Sequence, residues 1–156
     1  MASDRTLVAP SRLEDCYALA ATMRRSDAME CLDLGMTPKQ AIRECYRGGV
    51  LRKTYFVDGE IAAMSGLNGN LLSDVGHPYL LTAAPIERVP VWFMKTYRAA
   101  VAEMLAMRPI LVLQVAESYT KSIRMLELAG FSIGEPKRIG RGSFCEARIE
   151  RPRHGI

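Results

Sequence analysis

Glu30, Glu44, Glu60, His77 and Tyr119 are the side chains through which this sequence could move protons. Glu30 and Glu44 fall on segments with helical spacing, and Glu60 follows Asp58-Gly59 at a turn. His77 precedes Pro78 in a glycine-bearing stretch, and Tyr119 opens a helical repeat with Ile123 and Leu126. Carboxylates and imidazole serve as general bases near neutral pH, and a tyrosine hydroxyl can serve as an acid. No spacing singles out one glutamate. Each residue also has a plain reading: Glu60 as surface charge beside a turn, His77 as an exposed loop histidine, Tyr119 as a packing residue with its hydroxyl at the rim. Trp92, the only tryptophan, stands with Phe93 at the start of a long apolar-periodic segment. That pair reads as an anchor between helix and sheet, or as an aromatic plug over a cleft or partner surface.

Other chemistries are poorly served. Cys16, Cys31, Cys45 and Cys145 are far apart, with no Cys-x-x-Cys pair, and the only histidines are His77 and His154. Thiols in core or helix-face positions are expected, and no metal site. A net charge of +4 is too small to argue for nucleic acid by itself. Lys137, Arg138, Arg141, Arg148, Arg151 and Arg153 concentrate positive charge near the C-terminus, and a solvated face is the expected reading. No apolar run approaches membrane-spanning length, and Met1 to Arg5 lacks an apolar signal region, so a cytoplasmic protein is expected.

The elements that must position these residues follow from periodicity. With 156 residues, 49% of them hydrophobic, one ordinary domain is expected. Residues 4 to 9 read as a strand ended by Pro10, and Ser11-Arg12-Leu13-Glu14 as a capping box for a helix burying Leu13, Cys16, Tyr17 and Ala20. Thr37-Pro38-Lys39-Gln40 caps a second helix that runs to about Arg47 and stops at Gly48-Gly49. Leu51 to Val57 and Ile61 to Leu67 form a hairpin through Asp58-Gly59. Asn68 to Pro78 reads as an exposed loop and Tyr79 to Thr82 as a strand. A long helix over about Val91 to Met107 buries Met94, Tyr97, Val101, Met104 and Leu105. Ile110 to Val115 is a buried strand, followed by a helix closed at Gly130, a strand restarting at Phe131, a last strand over Ser143 to Ile149, and a tail.

This order resembles the Gcn5-related N-acetyltransferase (GNAT) fold over roughly residues 4 to 150. Val8-Ala9-Pro10-Ser11-Arg12-Leu13-Glu14-Asp15 is similar to the family's opening strand-to-helix turn, and Tyr55 to Ala63 to its central hairpin. The resemblance implies a single α+β domain with a mixed, mostly antiparallel sheet flanked by helices. It also implies acetyl-CoA as cofactor in an active member, its pyrophosphate held by a glycine loop at the start of the long helix. Arg88-Val89-Pro90-Val91-Trp92-Phe93 occupies that place, with Val91 and Phe93 in the glycine positions and Pro90 lacking a donor. Leu126 stands where the family commonly carries its tyrosine acid, which leaves Tyr119 as a displaced acid.

Small GNAT-like proteins of short-tailed bacteriophages, internal virion or virion assembly proteins, share these departures. The likeness runs through Glu30-Cys31, Tyr79 to Thr82, Val91 to Arg98 and Ser122 to Gly130. Two expectations follow. One is a phage-type, virion-associated or assembly protein in the host cytoplasm, with protein partners and no cofactor. The other is an active N-acetyltransferase that moves an acetyl group from acetyl-CoA to an amine. In the second, Arg88 and the amides after it hold the pyrophosphate, Glu60, Glu30 or Glu44 takes the amine proton, and Tyr119 acts as acid.

Overall fold

The computed structural model describes residues 5–70 and 72–153. Asp4 of the expected first strand, the N-terminal four residues and the last three of the tail lie outside them. The chain runs β1 (Thr6–Pro10), α1 (Leu13–Thr22), α2 (Arg25–Asp33), α3 (Pro38–Gly48), β2 (Gly49–Val57), β3 (Glu60–Asn68) and β4 (Val75–Thr82). A 3₁₀ turn over Ala84–Arg88 leads into α4 (Pro90–Met107). Then follow β5 (Ile110–Ala116), α5 (Thr120–Leu128), β6 (Ser132–Ile133), β7 (Lys137–Ile139) and β8 (Gly142–Glu150).

One sheet orders the strands β1-β2-β3-β4-β5-β8-β6, with β7 also paired to β8. Every pairing is antiparallel except β4 with β5. The expected α+β fold and the central, buried place of Ile110 to Val115 are both present. Asp58 and Gly59 turn the β2–β3 hairpin with φ of 53° and 78°, and Gly130 leaves α5 at φ 105°. Helices cover both faces. Phe93, Tyr97, Val101 and Met104 of α4 and Leu126 of α5 join Tyr55, Val57, Leu111 and Val115 in one core. Cys16 and Leu19 of α1, Cys31 of α2, and Ala41 and Ile42 of α3 join Met64, Tyr79 and Leu81 in the other.

Four local expectations need correction. The capping box of α1 is shifted by one residue: Asp15, not Glu14, accepts the Arg12 N–H at 2.8 Å, while the Ser11 hydroxyl pairs with Thr54. The shift turns the helix, so Asp15, Cys16 and Leu19 are buried while Leu13 and Tyr17 are 48% and 43% exposed. Where two bounded helices are expected before the hairpin there are three: α2, which carries Glu30 on its expected helical spacing, stands between them, and its few apolar residues set no bounds for it in the sequence. The expected loop over Asn68 to Pro78 is strand from Val75 onward, paired to both neighbours. Lys137 to Ile139 adds a short strand inside the basic region.

Candidate functional site

The site begins where β4 and β5 part. They pair only through Val75 with Ile110 and Gly76 with Leu111. The sequence cause is Pro78. Ala83 N–H donates to Ala62 C=O at 2.8 Å across the β3–β4 ladder, while the N–H and C=O of Thr82 face away from β3. With the alternation of an antiparallel pair, residues 78, 80 and 82 all turn toward β5. Proline has no N–H to offer there, so the parallel ladder stops. The gap widens into a cavity of about 790 Å³ that reaches both helical layers, in the range of small-molecule sites.

Side chains take up the main-chain groups left at both ends of the gap. At the closed end, the His77 Nδ1 donates to Val112 C=O at 3.1 Å. At the open end, α2 spans the two strands. Asp27 accepts from the Thr82 N–H at 2.8 Å and from its hydroxyl. One helical turn later, Glu30 Oε1 accepts the Ala116 N–H of β5 at 3.0 Å. Between these plugs, the same alternation points the main-chain groups of Leu80 and Gln114 into the gap.

The electrostatics follow from burial. Asp27 is buried, and desolvation raises its pKa against the hydrogen bonds from Thr82 and the nearby Arg24. Glu30 is pushed up to about 7, chiefly by desolvation, with Asp27 and Asp33 adding like charge and the Ala116 N–H opposing. A carboxyl poised near neutrality in a cleft is suited to proton transfer. Arg24 Nη1 donates to Glu87 at 3.2 Å, with its Nε 3.8 Å from Asp27. Tyr97, fully buried on α4, lines the same cavity with a hydroxyl that has no hydrogen-bond partner among the described residues.

The residues expected from sequence separate into groups. Glu30, His77 and Phe93 line the cavity; Glu60, Glu44, Arg88, Val89, Val91, Trp92 and Tyr119 do not. Arg88 Nη1 binds Glu60 at 2.8 Å and Asp58 at 3.3 Å, and Asp58 also binds Arg5, an exposed ion cluster at the hairpin end. The Arg5 hydrogen bond, with Arg88 beside it, lowers the Asp58 pKa. Val91 is 69% exposed, whereas Trp92 packs edge-on to Tyr55 at 6.2 Å and Phe93 stacks on Tyr97 at 5.8 Å. The aromatic pair therefore anchors helix to sheet. Tyr119 caps α5; partial burial and then Glu30, Asp33 and Asp27 hold its hydroxyl protonated. Glu44 is exposed on α3, and His77 belongs to a strand rather than a loop.

Sequence reading missed Asp27, Thr82 and Arg24. The signal was the three-residue spacing of Arg24, Asp27 and Glu30, which aligns them on one helix face.

No protein-family model and no curated protein matches the sequence. Solved structures do. The ribosomal-protein-S18-alanine N-acetyltransferase of Escherichia coli superposes with a TM-score of 0.68 at 15% identity over 96% of each chain. AAC(6')-Ib in complex with ribostamycin and coenzyme A gives 0.68 at 17%, over 95% of this chain and 94% of that one. Spermidine N-acetyltransferase of Vibrio cholerae, with coenzyme A and spermine, gives 0.67 at 10%, over 95% and 96%.

The chain has the GNAT fold. These neighbours are acetyltransferases, and nothing in them links the chain to phage virion proteins. The residues fit the thioester arm of acetyl-CoA: the gap offers the strand-like main-chain groups of Leu80 and Gln114 and the apolar walls of Phe93, Val115 and Leu126. They do not reproduce a glycine cradle for its diphosphate: Val91 and Phe93 hold the glycine positions and Pro90 has no N–H, while Arg88 pairs with Asp58 and Glu60. Among the described residues no helix is long and apolar enough to cross a membrane, and no cluster of metal-ligating side chains occurs.

Proposed function

We propose that the protein is an N-acetyltransferase that moves an acetyl group from acetyl-CoA to an amine, with Glu30 as general base. The observation that carries this reading is Glu30 itself, held on Ala116 where β4 and β5 have parted, inside the cavity and poised near pH 7. The amine enters from the α2–α3 side and the thioester arm from the α4–α5 side, where the family's long helix begins. Acetyl-CoA would supply an activated acyl carbon there: the amine nitrogen forms the C–N bond as the C–S bond breaks, the sulfur leaves with the bonding pair, and the proton that Glu30 takes from the amine passes through water to the thiolate, which restores the carboxylate. Glu30 accepts the proton that the amine loses. Asp27 fixes α2 to β4 through Thr82, so the base keeps its distance from the gap. Leu126 contributes packing in place of an acid.

Thiol release from acetyl-CoA with a mixed panel of primary amines tests the reading, together with acetyl-CoA titration by melting temperature. A ligand of the native state raises stability by mass action. The absence of both thiol release and a shift at millimolar cofactor would defeat it.

A second reading is favoured by Pro90, the exposed Val91 and the committed Arg88: a phage-type, partner-binding protein that keeps the scaffold and has lost catalysis. It requires that the same titration show no acetyl-CoA binding.

A further inference from the structure

Beyond α2 the acceptor side of the cavity continues over bare sheet. Leu111 and Val115 of β5, and Cys145 and Ala147 of β8, face the α4–α5 core. Alternation therefore turns Gln114 and Glu146 to the other face, the one that α1, α2 and α3 cover only as far as β4. The two residues stand directly opposite each other across the β5–β8 ladder, both are exposed, and both line the cavity. Charges of the other sign are engaged elsewhere. Arg148, next on the same face of β8, binds Glu150 at 2.8 Å. Lys121 belongs to α5, whose Ile123 and Leu126 pack on the opposite face. Lys137, across from Phe144 on β7, makes no ion pair with Glu146 among the described residues. Asp27 and Glu87 share Arg24, whose charge opposes a second cation at their end of the cavity.

Glu30 meets the sheet at Ala116. Gln114 lies two residues back, about 6–7 Å along the strand, and Glu146 about 5 Å further across, so the two carboxylates are rooted about 8 Å apart. We propose that the acceptor is an amine carrying a second cationic group about five methylenes from the reacting nitrogen, a length that spans this separation. Glu30 serves the reacting nitrogen, while Glu146 and the Gln114 Oε1 clasp the second. This rests on the acetyltransferase reading and names its substrate class. An ammonium has three donors and no acceptor, and a carboxylate beside an amide oxygen answers two of them. Both residues are exposed, so the clasped charge stays partly in water and avoids most of the cost of burial.

Calorimetric titration of the cofactor-free protein at pH 8 with cadaverine and with n-hexylamine, matched in length, reads the clasp directly. Cadaverine should bind at least about fivefold more tightly, and Glu146→Gln should cut that ratio at least about threefold. Equal affinity for the two amines, no binding of cadaverine, or a ratio that Glu146→Gln leaves as it was overturns the assignment. With saturating acetyl-CoA the same preference should appear in kcat/KM, and the Glu146→Gln loss should fall on the KM for cadaverine. Turnover of both amines alike sinks the second-cation class and leaves the acetyltransferase reading standing. Binding of cadaverine that depends on Glu146, with no turnover of any amine, sinks the acetyltransferase reading while the cation site stands.

Discussion

Glu30→Gln should inactivate the protein and stabilise it at the same time. Glutamine is nearly isosteric, and its Oε1 can still accept the Ala116 N–H that Glu30 accepts at 3.0 Å. What disappears is a carboxylate that the fold resists ionising. Its pKa rises from the ordinary 4.5 to about 7, mainly through desolvation. Between those values the folded chain binds more protons at this site than the unfolded chain, so stability falls as pH rises across that window. Above it the cost is about 2–3 kcal/mol, the lower figure allowing for the side chain's residual contact with water. At pH 8 Glu30→Gln should therefore melt about 4–10 °C above the parent, at the few degrees per kcal/mol usual for this size. At pH 4.5 the two should coincide. Turnover should move the other way. Loss of a general base typically costs about 100- to 10,000-fold. In the parent, kcat should climb with pH through about 7, where Glu30 ionises, and Glu30→Gln should lack that limb. Differential scanning fluorimetry at the two pH values and a pH–rate profile read both effects. A variant with undiminished kcat, or one less stable than the parent at pH 8, would refute the assignment of Glu30 as a partly desolvated base.

Further outcomes follow from other contacts. Asp27→Asn removes a like charge that raises the Glu30 pKa, so the acid limb of the rate profile should move to lower pH in the folded variant. Arg88→Ala should leave the acetyl-CoA dissociation constant, measured by calorimetry, within about twofold, because Arg88 is committed to Glu60 and Asp58. Tyr119→Phe should hold turnover within about threefold, since Tyr119 stands outside the cavity lining and loss of a true acid costs far more. Gly66→Ala would put a Cβ 2.2 Å from the Leu51 carbonyl oxygen and 2.5 Å from the Tyr79 hydroxyl. Backbone cannot yield cheaply there, and denaturant unfolding should show a loss of about 3 kcal/mol.

The scaffold was largely legible in the sequence, because its signals are local. Asp58-Gly59 specifies a hairpin by backbone conformation alone, Gly130 ends a helix for the same reason, and the apolar run Ile110 to Val115 identifies a strand covered on both faces. Pro78 carried the cause of the cleft in its missing N–H. Its effect became visible only when the register of β3 and β4 turned residue 78 toward β5. The site was not legible for the same reason. Glu30, Glu44 and Glu60 are equivalent as letters, and nothing in their spacing says which is taken out of water. Tertiary packing decided it by laying α2 across the separated strands, binding Glu30 to Ala116 some 86 residues away and Asp27 to Thr82 across 55. It decided Arg88 too, by bringing Asp58 and Glu60 of the hairpin within reach of its guanidinium. Backbone preference is a property of neighbouring residues, whereas desolvation and charge pairing belong to whatever the fold brings together, and the chemistry here depends on the second kind.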